Sequence, residues 1–233
     1  MTERKQNIAL IAAAGIGSRM DSDRAKQMIE LAGAPLLVHT LRRFESCSAI
    51  DSVILILQPS LTAEVLALAS RHNLTKISRI VAGGPERQDS VYRGLQVINE
   101  HTAGVIAVHD AARPFVRPDE IRAVVELAAT KGAALLAVPA TDTLKQVKSG
   151  RIQRTLERRK IYHAQTPQAF HYSLIREAYD RAYRDGFVGT DDSQLVERIG
   201  HRVFVVEGSP INIKITRPFD LRLAEVIEAE HFR

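Results

Sequence analysis

A glycine turn followed by cations is the first stretch of the chain that could do chemistry. Gly15 and Gly17 interrupt the apolar run that begins at Ile8, and Arg19 and Lys26 follow. Glycines let backbone N–H groups approach an anion closely, and fixed cations beside such a turn favour a polyphosphate. The alternative is a plain turn between a strand and a helix, because Gly-x-Gly is common in α/β chains.

Two familiar phosphate motifs are excluded in this stretch. A Walker A loop ends in Gly-Lys-Ser/Thr, and neither glycine is followed by lysine. The dinucleotide fingerprint needs a third glycine where Met20 stands, and an acidic residue where the chain has Leu57 to Pro59. The stretch therefore predicts an anion-binding turn of another kind.

Two further segments carry residues that could join such a site. Asp110 directly follows the apolar run 104–109 and could hold Mg²⁺, which takes one or two carboxylates together with phosphate oxygens. Alternatively, it caps the next segment and pairs with Arg113. Gly83 and Gly84 lead into a helix near Ser90, where their amides could read a base edge or hold an anion, or simply open the helix.

Lys214 lies in the alternating segment 211–216, which sends Asn212, Lys214 and Thr216 to one face of a strand. It could face a phosphate, or it could be a solvent-facing lysine on an edge. His109 is expected to be a packed neutral histidine, because no second His or Cys lies at metal-ligand spacing. The candidates share cationic or amide-rich character, which suits phosphoryl or nucleotidyl transfer, where the protein mainly positions reactants and stabilises charge.

Alternating strands and helices must position these residues. Short apolar runs predict strands at 8–13, 52–57, 76–82, 104–109 and 133–138, and helical spacing predicts helices at 34–45, 61–72, 89–100 and 118–131. Such alternation predicts an α/β fold with a mostly parallel, twisted sheet covered on both faces. Ligands of these sheets bind beyond the carboxyl ends of the strands.

The alternation of strands and helices stops after residue 140. Segments 143–148 and 151–156 flank Ser149-Gly150 and predict a hairpin, which is poorly stabilised alone, so a second subunit is its natural partner. Helices are predicted at 172–185, 191–199 and from 218 to about 230, with a strand at 203–207. The chain has no repeat or linker, so we predict one domain, 1–233, with a protruding arm at about 141–160.

Composition limits the remaining possibilities. The 233 residues are 45% apolar and 25% charged, with a formal net charge of +5, which is typical of a globular protein. The dense basic run 154–160 lacks interleaved aromatics and the chain has no Trp, so nucleic-acid binding is not favoured. Cys47 is the single cysteine, and no apolar run is long enough to span a membrane, so we expect a cytoplasmic protein.

Seven motifs in order along the chain resemble those of 2-C-methyl-D-erythritol 4-phosphate cytidylyltransferases. They are Ala13-Ala-Gly-x-Gly-x-Arg-Met20, Lys26-Gln27, Gly83-Gly-x-x-Arg-x-x-Ser-Val91, His109-Asp-Ala-Ala-Arg-Pro114, Asp142-Thr143, Thr166-Pro167-Gln168 and Asn212-Ile-Lys-Ile-Thr216. The resemblance implies a Rossmann-like, three-layer nucleotidyltransferase fold with an inserted β-hairpin dimerisation arm. It also implies cytidylyl transfer from CTP to methylerythritol phosphate in non-mevalonate isoprenoid synthesis, with Mg²⁺ or another divalent cation, by a homodimer.

The resemblance also implies roles for individual residues. The catalytic residues would be Arg19, Lys26 and Lys214. Contacts to CTP would come from Ala14, Gly15, Gly17, Gly83, Gly84, Ser90 and Asp110, with Asp110 beside the metal. Contacts to the acceptor would come from Arg113, Thr143, Arg158, Thr166 and Lys214, with Arg158 reaching the partner subunit's site.

Three residues depart from the family pattern, which commonly has proline where Ala12 and Ala25 stand and an aromatic where Met28 stands. Proline before Lys26 would restrict the unbound chain, so alanine is expected to weaken CTP binding slightly. The nearest alternative is a cytidylyltransferase for another alditol phosphate such as ribitol 5-phosphate, although Ala111-Ala112 is more typical of the methylerythritol enzymes. The alternative outside the enzymes is a regulatory protein that binds a nucleotide and does not turn it over.

Overall fold

Strands and helices alternate along most of the chain in a computed structural model that describes residues 4–15 and 25–232. The strands are β1 (Gln6–Ala12), β2 (Glu30–Leu31), β3 (Ala34–Pro35), β4 (Ser52–Leu57), β5 (Ile77–Ala82), β6 (Ala103–Asp110), β7 (Ala133–Pro139), β8 (Lys145–Lys148), β9 (Arg151–Thr155), β10 (Tyr162–His171) and β11 (Phe204–Glu207). The helices are α1 (Leu36–Glu45), α2 (Thr62–Arg71), α3 (Arg87–Gln96), α4 (Pro118–Lys131), α5 (Tyr172–Arg184), α6 (Asp192–Arg198) and α7 (Pro218–His231). Short 3₁₀ turns lie at Lys26–Met28, Pro59–Leu61 and Arg158–Lys160.

The main sheet has the strand order β11-β7-β10-β6-β1-β4-β5. Strand β1 pairs in parallel with both β4 and β6, and the pairs β4–β5 and β7–β11 are also parallel. Strand β10 runs antiparallel between β6 and β7. The predicted mostly parallel α/β sheet is therefore confirmed, with one reversed strand, β10, in its interior.

The sheet is covered on both faces, as its continuous apolar strands predict. Alternate residues of β1 enter opposite cores: Ala9 and Ile11 pack with α1, α2 and α4, while Ile8 and Leu10 pack with α3, α5 and α6. All four side chains are buried. Burial on both sides fixes the register of β1 and thereby the place where it ends, at Ala12.

A third, smaller core lies under the C-terminal helix. Ala224 and Ile227 of α7 pack with Leu31 of the small β2–β3 hairpin, with Phe115, and with Ile215. The helix thus attaches the segment that follows Lys26 and the segment that contains Lys214 to the same support.

The predicted hairpin arm is confirmed as β8–β9. Ser149 and Gly150 form its turn with φ of 49° and 75°, and two positive φ values give the twist that matches the flanking strands. Every residue of both strands is exposed. The arm therefore has little support from its own chain.

Two segments differ from the sequence prediction. No element was predicted for the segment that forms strand β10. Proline is unusual in an interior strand, and the pairing with β7 shifts between Ala164 and Gln168, which accommodates Pro167. The prediction of a strand at 211–216 was wrong: the segment is an extended loop in which Asn212 and Ile215 are buried.

In the described residues, no helix has the length and apolar character needed to cross a bilayer.

Candidate active site

A cleft of about 660 Å³ opens beyond the carboxyl ends of β1, β4, β5 and β6, where a sheet of this kind binds ligands. Its walls come from residues 12–15, 26–27, 57–59, 83–87 and 110–112, together with Ser90, Lys214 and Thr216. Six segments distant in sequence therefore meet at one edge of the sheet. Most of the residues predicted to contact CTP lie among them.

Asp110, at the end of β6, is held between two cations. Its Oδ1 lies 2.9 Å from Arg87 Nε and its Oδ2 lies 2.7 Å from Lys214 Nζ. Burial opposes ionisation, but Arg87 and then Lys214 outweigh it and hold the pKa of Asp110 well below its usual range. The predicted alternative, an ion pair with Arg113, is wrong, since the Arg113 guanidinium donates to the carbonyl oxygen of Asn212 at 2.7 Å.

Arg87 was not among the predicted site residues. It is the first residue of α3 and joins Asp110 to Asp192, with Nη1 and Nη2 donating to the two carboxylate oxygens of Asp192 at 3.0 and 2.7 Å. Burial lowers the pKa of Arg87, but Asp192 and then Asp110 raise it well above its usual value. Arg87 lies within the glycine motif that begins at Gly83, whereas no local pattern pointed to Asp192.

The loop that carries Lys214 is fixed to β10 by two amide side chains, Gln165 of the strand and Asn212 of the loop. Gln165 Nε2 donates to Ser209 O at 2.8 Å, and Asn212 Nδ2 donates to Gln165 Oε1 and to Thr166 O. A backbone bond from Ile215 N to Ala112 O, 2.9 Å long, closes the loop onto the end of β6. This docking brings the half-exposed Lys214 to the cleft.

His109 is fully buried, and its ring packs against Phe44 with centroids 4.9 Å apart. Burial lowers its pKa to about 4, so the ring is neutral, as predicted. Nε2 lies 3.0 Å from Arg113 O, which can only accept, so Nδ1 accepts from the Thr166 hydroxyl at 3.0 Å. The Thr166 oxygen in turn accepts the Asp110 N–H at 3.2 Å, which leaves it an acceptor for any further partner.

Packing explains why glycine occupies positions 83 and 84. A Cβ on Gly83 would lie 2.1 Å from Ala14 Cβ, and a Cβ on Gly84 would lie 2.3 Å from Asp89 Cβ, so packing alone requires both. Their N–H groups donate to Leu57 O and to Ser90 Oγ. These two amides are therefore already used, and Asp89 closes the capping box of α3 as the helix-entry interpretation requires.

Gly15 has no such packing reason. Among the described residues, nothing lies within 4 Å of a Cβ built on it, and its φ lies outside the left-handed region. As far as the described residues show, Gly15 borders open space in the cleft that Lys26 also lines. Predicted residues Gly17 and Arg19 lie outside the described residues.

Thr143 and Arg158 are not in the cleft of their own chain. Both are exposed in the arm region, where Arg158 Nη1 donates to Thr141 O. Arg113 and Thr166 do not line the cleft, but hydrogen bonds join Arg113 to His109 and Thr166 to Asp110 at its edge. Within one chain, the described residues that were predicted to contact CTP lie together at the cleft. Only some of the residues predicted to contact the acceptor lie near it.

A nucleotide-bound Mg²⁺ fits this donor set. The described residues contain no group of three or more His, Cys, Asp or Glu side chains that could enclose an ion, and Asp110 supplies one ionised carboxylate at the cleft. Mg²⁺ is commonly held by one or two carboxylates with the remaining positions filled by phosphate oxygens and water. Asp110 could thus serve a metal that arrives with its nucleotide.

Comparison with known proteins gives a consistent result. The sequence profile of 2-C-methyl-D-erythritol 4-phosphate cytidylyltransferase matches residues 7–230. The enzyme of that name from Halalkalibacterium halodurans is 44% identical over 96% of this chain and 97% of the relative, and that from Syntrophus aciditrophicus is 48% identical over 94% of each.

Solved structures agree with the sequence comparison. The crystal structure of 4-diphosphocytidyl-2C-methyl-D-erythritol synthase from Anaerococcus prevotii superposes with a TM-score of 0.86 at 29% identity, covering 97% of this chain and 96% of that chain. The 2-C-methyl-D-erythritol 4-phosphate cytidylyltransferase of Thermus thermophilus gives a TM-score of 0.77 at 34% identity, covering 95% and 98%.

Proposed function

The chain belongs to the 2-C-methyl-D-erythritol 4-phosphate cytidylyltransferase family, and from that premise we propose how its cleft divides the work of the reaction. The enzyme transfers the cytidylyl group of CTP to 2-C-methyl-D-erythritol 4-phosphate, giving 4-diphosphocytidyl-2-C-methyl-D-erythritol and pyrophosphate, in isoprenoid biosynthesis. Another alditol phosphate as acceptor is not favoured, since the curated relatives carry the methylerythritol name.

A phosphate oxygen of the acceptor attacks the α-phosphorus of CTP, and the bond from that phosphorus to the bridging oxygen breaks as pyrophosphate leaves. Negative charge spreads over the non-bridging oxygens in the transition state, and fixed cations stabilise it. Lys26, which lines the cleft, supplies one such charge. Arg19 is proposed as the second from the resemblance alone. A divalent cation, Mg²⁺ in our proposal, would neutralise phosphate charge beside Asp110.

CTP occupies the part of the cleft between the two glycine turns. Ala14, Gly15, Gly83, Gly84 and Ser90 line this part, and all five lie on the cleft wall. The small side chains leave room for a flat base and for the phosphates. Gly17 belongs to the same proposed set.

The acceptor lies on the Lys214 side, where Thr166 is next to Asp110 and Arg113 donates to Asn212 of the Lys214 loop. Since the Thr166 hydroxyl gives its proton to His109, it offers a lone pair, which suits a hydroxyl group of the acceptor better than a phosphate oxygen. Thr143 and Arg158 would complete the site across a dimer interface.

A homodimer joined by the arms accounts for these last two residues. Val147 and Ile152 are paired across the hairpin and are 55% and 65% exposed, and Tyr162 at its base is 47% exposed. A two-stranded ribbon is marginal alone, so covering these side chains with a second copy would stabilise it. The cytoplasmic location stays a prediction.

One observation supports these roles most directly. Lys26, Lys214 and the ionised Asp110 line the same cleft. The test is pyrophosphate release from CTP with Mg²⁺, comparing methylerythritol phosphate with ribitol 5-phosphate. Preference for ribitol phosphate would contradict the assigned acceptor. Tight CTP binding without pyrophosphate release would instead favour a regulator.

A further inference from the structure

Arg87 and Asp192 form a buried ion pair at the edge of the cleft. The Arg87 guanidinium uses three of its N–H donors, one to Asp110 and two to Asp192, so one planar group aligns two carboxylates. The Asp192 side chain is 0% exposed, whereas that of Arg87 is 31% exposed and lines the cleft. Arg87 thus faces the substrate space on one side and a buried anion on the other.

Asp192 is a rigid anchor. It is the first residue of α6, and the residues on both sides of it are attached to Gln168 of β10: Gln168 Nε2 donates to Asp191 Oδ2, and Ser193 N donates to Gln168 Oε1, each at 2.9 Å. Gln168 is 1% exposed. The start of α6 is therefore fixed to the central strand, and the Asp192 carboxylate with it.

A cation on the wall of a triphosphate site faces a competing attraction. CTP with its phosphates would draw any mobile guanidinium away from a single carboxylate, because Arg pairs with phosphate as readily as with carboxylate. The bidentate bond to Asp192 opposes that movement. We propose that Asp192 restrains Arg87 against Asp110, and that the pair acts as a positioning device that fixes the Asp110 carboxylate during turnover.

This role rests on the proposed function and becomes important when Lys214 engages the acceptor phosphate. At that stage Asp110 loses its 2.7 Å partner on Oδ2, and Arg87 on Oδ1 is the contact that remains. Oδ2 is then directed to the metal and the substrates in one orientation. Arg87 and Asp192 are positioning residues and need not touch the reacting atoms.

The Asp192→Asn variant separates this role from a purely structural one. The Tyr179 hydroxyl also donates to Asp192 Oδ1, the oxygen that accepts from Arg87 Nη1. The variant removes the anion while retaining an oxygen that can accept from both. Arg87 is then free to turn to the triphosphate, so we expect CTP binding, measured by calorimetry without acceptor, to stay equal or become up to about tenfold tighter. Since Asp110 is no longer fixed, kcat should fall by about tenfold or more.

A matched control is Asp180→Asn, which breaks an Arg–Asp pair of similar length, 3.0 Å from Arg176, on α5. It should leave kcat within about twofold of wild type. If Asp192→Asn fails to fold, Arg87→Lys replaces it, because an ammonium cannot align two carboxylates; the same loss of kcat with retained CTP binding is expected.

Two results would overturn the inference. One is a kcat within about twofold of wild type in folded Asp192→Asn and Arg87→Lys. The other is CTP binding that weakens in proportion to kcat, as general damage to the site would produce. If the wild-type enzyme does not release pyrophosphate from CTP and methylerythritol phosphate, the proposed function is wrong. A failure of the proposed function can therefore be distinguished from a failure of the positioning inference.

Discussion

Lys214 Nζ lies 2.7 Å from Asp110 Oδ2, so the lysine assigned to the acceptor phosphate shares a carboxylate with Arg87. The lysine side chain is 41% exposed and the carboxylate 10%. The half-exposed ammonium can leave Asp110 for a substrate phosphate because Arg87 still pairs with the buried carboxylate, which is therefore not left without a cation. The pair therefore holds Lys214 at the cleft without locking it there.

Lys214→Gln tests this arrangement. Asp110 keeps Arg87, so the fold should remain, while the acceptor phosphate loses a cation. We expect KM for methylerythritol phosphate to rise and turnover to fall by about 10²-fold, with KM for CTP changed far less. Steady-state kinetics with each substrate varied will measure this. Equal effects on both Michaelis constants would contradict the assignment.

Gly15 and Gly83 offer a matched pair of alanine substitutions. Gly15→Ala meets open space among the described residues, so the free energy of unfolding should change by less than about 0.5 kcal/mol. Its methyl group should obstruct the phosphates and weaken CTP binding by about tenfold. Calorimetry and urea titration measure the two quantities.

Gly83→Ala should lose stability, unlike Gly15→Ala. Its Cβ would lie 2.1 Å from Ala14 Cβ, so the backbone must shift, at a cost of about 1–3 kcal/mol in stability. If Gly15→Ala proves as unstable as Gly83→Ala, the interpretation of Gly15 as a ligand-approach residue is wrong.

Much of the sheet could be predicted from the sequence because its strands are buried on both faces. Segments such as Ser52–Leu57 read as uninterrupted apolar runs, and their ends mark the edge of the sheet where the cleft lies. The carboxyl-end rule then places Asp110 and the glycine turns together. Local pattern was sufficient for these elements.

The rest could not be predicted because it depends on pairing between distant polar residues. Strand β10 carries Gln165, Pro167 and Gln168, which read as a loop, yet both glutamines are buried and fully engaged with other segments. Arg87 and Asp192 are separated by 105 positions. No spacing rule links such residues before the fold brings them together.

Lys26→Ala should lower turnover by about 10²-fold or more, since one donor to the transition-state charge is lost. Lys26 lines the cleft in the 3₁₀ turn 26–28. The exposed Lys131 at the end of α4 is the control, and its alanine variant should retain wild-type turnover. A rate for Lys26→Ala equal to that of the control would remove Lys26 from the mechanism.

Arg158→Ala should raise KM for methylerythritol phosphate more than KM for CTP, and subunit mixing shows which site Arg158 serves. In a dimer of one Arg158→Ala protomer and one Lys26→Ala protomer, a cross-subunit arginine leaves one site intact. At a methylerythritol phosphate concentration well below the raised KM, where each variant alone is nearly inactive, random mixing should then restore about a quarter of wild-type activity. No recovery under these conditions would mean that Arg158 acts in its own chain, and an unchanged KM in Arg158→Ala would mean that it has no role in acceptor binding.

His109 predicts how stability depends on pH. Its pKa falls from 6.5 to about 4 on folding, because burial disfavours the charged ring, so the unfolded chain takes up the proton first as pH drops. Stability from this group is therefore complete above neutral pH and declines below about 6.5, by about 2 kcal/mol between pH 7 and pH 5. Urea titrations at the two pH values measure the loss.

His109→Gln should be less stable than wild type at pH 7, because it disturbs the bonds to Arg113 and Thr166, but its loss between pH 7 and pH 5 should be smaller by about 2 kcal/mol. His101→Gln, at a histidine whose side chain is 85% exposed, should keep the wild-type dependence. An identical pH dependence in His109→Gln and wild type would mean that the buried ring is not the group responsible. A flatter profile confined to His109→Gln would confirm that His109 is buried as a neutral ring.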